Sequence, residues 1–403
     1  MTRRILVSGG PVHAYLDAVK LLTNKFKGGR MFALAQQLAC EGADVTYLTT
    51  KLNKLDDPHG VNVVYHDGYH DYRRLVRELA PQHDAVILGA AVANLVPVSP
   101  WKGKFPSHQY KIGEVFNIPM TVAPRVIDEV KREQQVDSFP YANPDDLRKW
   151  HYRNAEGEIV EPIPASNPNC HLFGYKLLAN VPHEELIEAA YDIVLASGAT
   201  AVFANDASNL DQKYAVTKER AVIPLKESEL PEFILQCLDD VYYKTVRVEA
   251  GSLNIREQSF EIVKALASVN ADKFPVVQGG YVFGTVATRI SWPGQPPAFV
   301  TTARGKRELQ DWAVVAGVDH VEREVRVVGK NKATLNAPLL AHIFSEFPQA
   351  NRIVHYHQQE EGVRTMPWAP PGTGRDSLRD FREMRAEGEQ EFQIEHHGMY
   401  CFW

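Results

Sequence analysis

The sequence predicts an α/β protein of two domains, the first built on a doubly wound parallel sheet. Three observations carry that prediction. Short β-branched runs alternate with helix-forming stretches over residues 4–91, and small-residue turns close several of those runs. The third is length, since 403 residues make two or three domains at roughly 150 per domain. The balance of 44 Lys+Arg against 50 Asp+Glu gives a net charge of −6, which argues against a general nucleic-acid binder. Four cysteines without a CxxC pair make neither a disulfide framework nor a zinc knuckle. The first ten residues hold no apolar run of signal-peptide length, and no stretch approaches ~18 apolar residues. No membrane contact is expected, and the cytoplasm is the expected compartment.

The elements follow in order. Arg4-Ile5-Leu6-Val7-Ser8 is a buried strand stopped by Gly9-Gly10-Pro11. Gly28-Gly29 precede a helical stretch over 31–39, and Gly42 ends it as a C-terminal glycine does. Strands follow at 45–49 and 61–65, then a helix over 72–79. A fourth strand, 84–88, ends in Gly89-Ala90-Ala91. In doubly wound sheets ligands bind at the carboxyl ends of the strands, where both small-residue turns fall. Neither turn is GxGxxG, and each also reads as a plain βα connection. The Gly28-Gly29 helix start favours a phosphate site, because exposed helix N–H groups attract anions. Asn143-Pro144-Asp145-Asp146-Leu147 reads as a helix start, 184–195 as a helix, and 201–204 as a strand. Pro224 and Pro231 mark a change of segment, which sets the domains at 1–245 and 246–403.

In this first half, Ser8-Gly9-Gly10, residues 17–24, Gly28 and 32–35 resemble the opening of phosphopantothenate–cysteine ligases, roughly TSGGT…IDxVRxITNxSSGxMGxALA. In the same order, 90–94 resembles that family's AAVAD, Lys111-Ile112 its KIKK, 123–127 its NPDIL, Phe173-Gly174-Tyr175-Lys176 its VGFK, and Ala204-Asn205-Asp206 its VAND. The resemblance implies a Rossmann-like domain. It also implies activation of the 4′-phosphopantothenate carboxylate by CTP or ATP with Mg2+, and attack of cysteine on the acyl nucleotide. By position, Asn24 would contact the acyl nucleotide and Lys111 would offset phosphate charge. Ser8, Gly9, Gly10, Gly28, Ala90, Ala91, Asn94, Phe173, Gly174, Tyr175 and Lys176 would line the nucleotide pocket. Lys111 reads equally as a solvated surface lysine. The chain departs from the family at Phe26-Lys27 (Ser-Ser), Met31 (Gly), Asn94 (Asp) and Gly113-Glu114. The family's flap and dimerisation region correspond to 100–172.

The second half is read mainly through its histidines. Residues 258–267 have helical spacing, 281–290 alternate like paired strands around a glycine, and 297–302 form another strand. A helix over 338–344 carries His342, and 352–357 is a strand with His355 and His357 on one face. His396-His397-Gly398 precede a last apolar strand. An HxH strand with a distant histidine makes a three-nitrogen site for Zn2+ or a similar divalent ion, with the fourth position open; the alternative is a set of surface histidines. The charged stretch 372–391 fits one helix with i,i+4 pairs.

These pieces resemble the class II aldolase/adducin family over 255–403: 284–289 its GNxSxR, 337–344 its EAPLHxxIY, 348–357 its RPDxxAVVHTH, and 395–398 its NHG. That resemblance implies an α/β aldolase-like domain with His355, His357 and His397 as metal ligands. The family's catalytic glutamate falls at Asn336, which cannot act as a base. Glu360 and Glu361 stand as replacement acid/base groups or as a solvated acidic turn.

The expected function is a nucleotide-dependent ligase fused to a metal-binding domain, acting on a small anionic substrate. The alternatives are a metal-dependent lyase, isomerase or dehydratase, and a non-catalytic ligand-binding scaffold. Both resemblances imply a homo-oligomer, dimer or tetramer.

Overall fold

The computed structural model describes residues 2–53, 55, 60–131, 152–153, 159–160, 167, 170–218, 220–251, 264–266, 269–277, 281–291, 298–309 and 311–403. The helix start at 143–147 and most of the 258–267 helix lie outside these residues. The chain divides into two compact units, Met1–Lys218 with Ile223–Leu235, and Glu219–Val222 with Gln236–Trp403. The main exchange falls between Leu235 and Gln236, before position 245 and inside the helix Leu230–Asp239. Pro231 opens that helix, where its missing N–H is not needed.

In unit 1 the chain runs β1 (Arg4–Ser8), α1 (Gly29–Cys40), β2 (Asp44–Thr50), β3 (Val61–His66), α2 (Gly68–Leu79), β4 (Ala85–Leu88), β5 (His171–Leu178), α3 (His183–Ser197), β6 (Ala201–Asp206), β7 (Asn209–Thr217) and β8 (Val222–Lys226). These strands form one sheet in the order β8-β7-β6-β5-β4-β1-β2-β3. From β3 to β6 every pairing is parallel, and β7 returns antiparallel to β6. The central strands carry unbroken apolar runs because both faces are covered: Ile5, Leu6, Val7 and Ala85, Val86, Ile87 are fully buried. Strand order reverses between β1 and β4, the switch point at which such sheets bind ligands.

The helices follow their sequence periodicity. Met31, Leu34, Ala35 and Leu38 line the buried side of α1, and Gly42, with φ 88°, terminates it. Helix α2 starts earlier than the 72–79 read from sequence. The Asp71 carboxylate accepts the Asp67 N–H at 2.8 Å, satisfying a donor at the helix start.

Unit 2 carries β9 (Lys244–Val248), β10 (Thr285–Ile290), β11 (Ala298–Thr302), β12 (Trp312–Asp319), β13 (Glu324–Val328), α4 (Ala337–Glu346), β14 (Arg352–Tyr356), β15 (Thr365–Met366), α5 (Gly374–Ser377), α6 (Arg382–Glu387), β16 (Glu391–Ile394) and β17 (Gly398–Phe402). Nine strands make a mixed sheet in the order β9-β13-β12-β11-β10-β14-β17-β16-β15. One face packs on α4, with Leu340, Ile343 and Phe344 against Phe299, Ile353 and Tyr400. The other buries Phe274, Val286, Val300, Val354 and Met399.

The stretch 372–391 is not the single helix expected from its charges; it makes α5 and α6. The Thr373 hydroxyl accepts the Asp376 N–H, capping α5, and the buried Asp376 pairs with Arg379 at 2.8 Å. The chain leaves helical geometry at Leu378 (φ −99°, ψ 57°), and Gly388 (φ 73°) ends α6. Glu383 and Glu387 of α6, with Glu389 just beyond it, converge on Arg364.

Candidate functional site

Both small-residue turns of unit 1 sit at the switch point, and they run side by side. The Gly89 N–H donates to Ser8 O at 3.1 Å, Ala91 N–H to Gly10 O at 2.9 Å, and Ala93 N–H to Val12 O at 2.9 Å. Gly28 begins α1 against them: a Cβ there would stand 2.2 Å from Gly10 N, and its φ is 83°. Only glycine allows that approach. No carboxylate occupies the first turn of α1, so its free N–H groups present positive potential above the turns. The Asn24 amide donates to Ala91 O at 3.0 Å, which brings Asn24 to the second turn.

Met31 changes this floor. Its side chain lies 2.6 Å from a would-be Cβ of Gly9 and 2.4 Å from that of Gly89. The Met31 thioether therefore covers the surface that Gly89 leaves open, while its Cβ and the Tyr47 hydroxyl cover that of Gly9.

The other predicted residues distribute unevenly. Ala90 and Ala91 are half-buried in the second turn, and Asn94 is exposed beyond it. Phe173 belongs to the core, fully buried and stacked on Phe203 at 5.9 Å. Gly174 is level with Leu88 at the end of β4, so Tyr175 and Lys176 stand past that end on β5. Lys111 lies on an exposed loop.

Unit 2 draws three histidines together. His355, on β14, lies opposite Thr285 of β10 and Tyr400 of β17. His357 follows one residue past the strand. His397 occupies the turn between β16 and β17, where its N–H donates to Ile394 O at 3.1 Å. Gly398 makes the approach possible. Its φ is 131°, and a Cβ there would meet Tyr356 O at 2.1 Å and His357 Cα at 2.7 Å. One ligating atom from each of the three rings lies within 4.8 Å of the others.

Hydrogen bonding selects the tautomer of His355. Its Nδ1 is 2.9 Å from Met399 O, a pure acceptor, so Nδ1 carries the hydrogen and Nε2 is left as a lone-pair donor. That Nε2 and both nitrogens of His397 are buried with no hydrogen-bond partner among the described residues. Burial holds all three imidazoles neutral: His355 and His397 titrate well below the ordinary value and His357 at about 4. Neutral, orphaned imidazole nitrogens fit a divalent cation. Tyr400 stacks on His355 at 4.2 Å and closes that side of the ring to water.

Asn336 is buried just ahead of α4, and its carboxamide oxygen is unpartnered. Glu360 is committed elsewhere, accepting from Tyr356 Oη at 2.7 Å and pairing with Lys273 at 3.0 Å. Glu361 is exposed. Sequence reasoning missed Tyr400, the Met399 carbonyl and Lys306, whose buried ammonium donates to Gly284 O at 2.5 Å. The apolar strand after His397 was a signal for the first two. Lys306, inside Arg304-Gly305-Lys306-Arg307, looks like surface.

Residues 1–140 match the family model described as the DNA/pantothenate metabolism flavoprotein C-terminal domain. The coenzyme A biosynthesis bifunctional protein CoaBC of Mycobacterium tuberculosis is 34% identical over 95 residues, 24% of this chain and 23% of that protein. The chain thus spans about a quarter of the length of the curated relatives it matches. The DNA/pantothenate metabolism flavoprotein from Streptococcus pneumoniae overlaps 59% of this chain and 99% of its own, at 20% identity and a TM-score of 0.45. An aldolase II superfamily protein from Pseudomonas syringae overlaps 37% of this chain and 70% of its own, at 12% identity and a TM-score of 0.24. Overlaps this partial leave the fold resting on the strand orders themselves. No helix among the described residues is long and apolar enough to cross a membrane.

Proposed function

We propose that the chain is an enzyme with two separate chemistries, a nucleotide-dependent ligase-like site in unit 1 and a divalent-metal centre in unit 2. For unit 1 the carrying observation is the pair of small-residue turns at the switch point, within the stretch that matches the pantothenate-metabolism family model. CTP or ATP, as its Mg2+ complex, is the cosubstrate. A carboxylate of the 4′-phosphopantothenate class becomes an acyl nucleotide as pyrophosphate leaves, and the cysteine amine attacks its carbonyl, forming the amide and expelling the nucleoside monophosphate. The α1 N-terminus, Gly9, Gly10 and Gly28 meet phosphate through backbone N–H groups, and Asn24 holds the acyl nucleotide beside Ala91. Lys111 offsets the pyrophosphate charge. Pyrophosphate release is the test. It should require nucleotide and 4′-phosphopantothenate, and continue over many turnovers only when cysteine is present; no release with either nucleotide refutes the reading. Met31 over Gly9 and Gly89 favours a second reading, in which unit 1 binds such a ligand without turnover. Nucleotide binding without pyrophosphate release is its signature.

For unit 2 the carrying observation is the convergence of three neutral imidazoles, His355 and His397 buried and His357 partly so. His355, His357 and His397 hold the ion. A divalent metal such as Zn2+ supplies Lewis acidity to a carbonyl or carboxylate oxygen. The Met399 carbonyl keeps His355 in its ligating tautomer. Asn336 takes no proton, so the proton acceptor of this site lies elsewhere. With the class II aldolase resemblance, these features support a lyase, isomerase or dehydratase reaction. Elemental analysis of the purified chain should find about one divalent ion per chain, lost in His355→Ala; a metal-free wild type under metal-replete conditions refutes it. Assembly into a dimer or tetramer belongs to the same reading and is measured by light scattering.

A further inference from the structure

Unit 2 also holds a charged cavity that shares no residue with the three-histidine cluster. Gln236, Asp239, Asp240, Arg323, Gly374 and Arg375 line a space of about 420 Å3, and all belong to unit 2. That volume suits a small metabolite. The two guanidinium groups of the cavity are in opposite states. Arg375 is engaged, forked onto the buried Asp240 with Nε to Oδ1 at 3.1 Å and Nη2 to Oδ2 at 2.7 Å. Arg323 has neither a hydrogen-bond acceptor nor a carboxylate partner for its guanidinium among the described residues. Asp239, the remaining carboxylate, is exposed.

The fold holds Arg323 in a strained and fixed position. It falls in the turn between β12 and β13 with φ 53°, the left-handed region that favours glycine. Its guanidinium lies over the Tyr243 ring, 5.6 Å from the centroid, and against Gly374, where a Cβ would coincide with it. Tyr243 is itself anchored. Its hydroxyl hydrogen-bonds His320 Nδ1 at 2.6 Å, and its N–H donates to Gly372 O at 3.0 Å. The Lys244 N–H donates to Arg323 O at 2.9 Å, which ties the turn to the start of β9. Packing alone does not account for arginine here. Glycine would suit the backbone, and an apolar chain would cover Tyr243 without leaving N–H donors unanswered. A guanidinium already held by a ring and a glycine loses little further freedom on binding. Its planar fork matches an oxyanion with two acceptor oxygens.

We propose that this cavity binds a small metabolite bearing a carboxylate or phosphate group, and that Arg323 receives the oxyanion. The site is independent of the metal-centre reading, since none of its residues is one of the three histidines.

Calorimetric titration of the full chain provides the test. The protein is treated with a chelator first, so that no bound metal contributes, and titrated with succinate and, separately, with inorganic phosphate. Wild type should bind at least one of the two, and the one bound assigns the anion. Arg323→Gly removes the guanidinium and suits the left-handed backbone. It should melt no lower than wild type and bind the anion ~10-fold or more weakly. Equal affinity in wild type and Arg323→Gly overturns the role of Arg323, and makes it a packing piece of the turn. No binding of either anion by wild type at about millimolar concentration overturns the site, and leaves the metal centre untouched. If Arg323→Gly does not fold, Arg323→Gln replaces it under the same affinity criterion.

Discussion

At the switch point of unit 1 the groups on offer are peptides: the turns after β1 and β4, and the first N–H groups of α1, brought close by Gly28. In unit 2 they are side chains: three imidazoles carried by a strand end and a hairpin turn, with Gly398 permitting the approach. The contrast concerns what each region tolerates. A site made of backbone is damaged by atoms added, because a Cβ takes the place of the ligand or of a neighbouring chain. A site made of side chains is damaged by atoms removed, because the orphaned nitrogens have no substitute. Glycine is common to both, as the residue that lets two segments touch.

The largest expected effect strikes the side-chain site. His357→Ala should weaken Zn2+ binding by ~100-fold or more, measured by competition with a chromogenic chelator. Gly398→Ala should do nearly as much with every ligand still present, since its Cβ would collide with Tyr356 O. Metal affinity unchanged in Gly398→Ala would break the idea that this glycine positions His397.

Acid comes next, acting in unit 1 through one buried histidine. His66 of unit 1 is fully buried and titrates at about 4, chiefly because of burial and then the charge of His13. Between pH 6.5 and 4 the unfolded chain binds a proton that folded His66 refuses. Its stability contribution is complete above 6.5 and falls with pH, by up to ~1.4 kcal/mol per unit. Denaturant melts of His66→Gln should show a flatter pH dependence for unit 1; an identical slope would remove His66 from the account.

Gly28→Ala ranks third. Its left-handed φ and the contact with Gly10 should cost unit 1 ~1–3 kcal/mol and abolish nucleotide binding by fluorescence titration. Retained binding would show that the α1 start does not form the phosphate site. The smallest effect belongs to Glu360→Gln. This carboxylate is half-exposed and tied to Tyr356 and Lys273, so its loss should change stability by under ~1 kcal/mol and leave metal content intact. A large loss of turnover in that variant would restore Glu360 as an acid/base group.

Legibility in the sequence followed the same division. Alternating apolar runs and small-residue turns announced β1 to β4 of unit 1, because buried parallel strands must be apolar throughout. His355 and His357 were legible through the two-residue period of β14, and His397 only through its likeness to a family motif. Nothing local marked Lys306, since a polar run around a glycine looks the same whether its lysine faces water or folds inward. Nor did charge spacing reveal the break between α5 and α6, because Asp376 and Arg379, spaced like a surface helix pair, are buried inside the protein. Phe173 shows the opposite failure: a motif position can be matched in sequence and still point into the core.

The turn that carries His397 has a further consequence for the chain as a polymer. His357 and His397 are forty residues apart, and the interval contains α5, α6, β15 and β16. An ion joining them is a removable cross-link that closes this interval, and such clips act largely by restricting the unfolded chain. Chelation should therefore lower the melting temperature of unit 2 and leave that of unit 1 where it was. Metal occupancy then becomes a setting of how readily one half of the protein opens, independent of any reaction it performs.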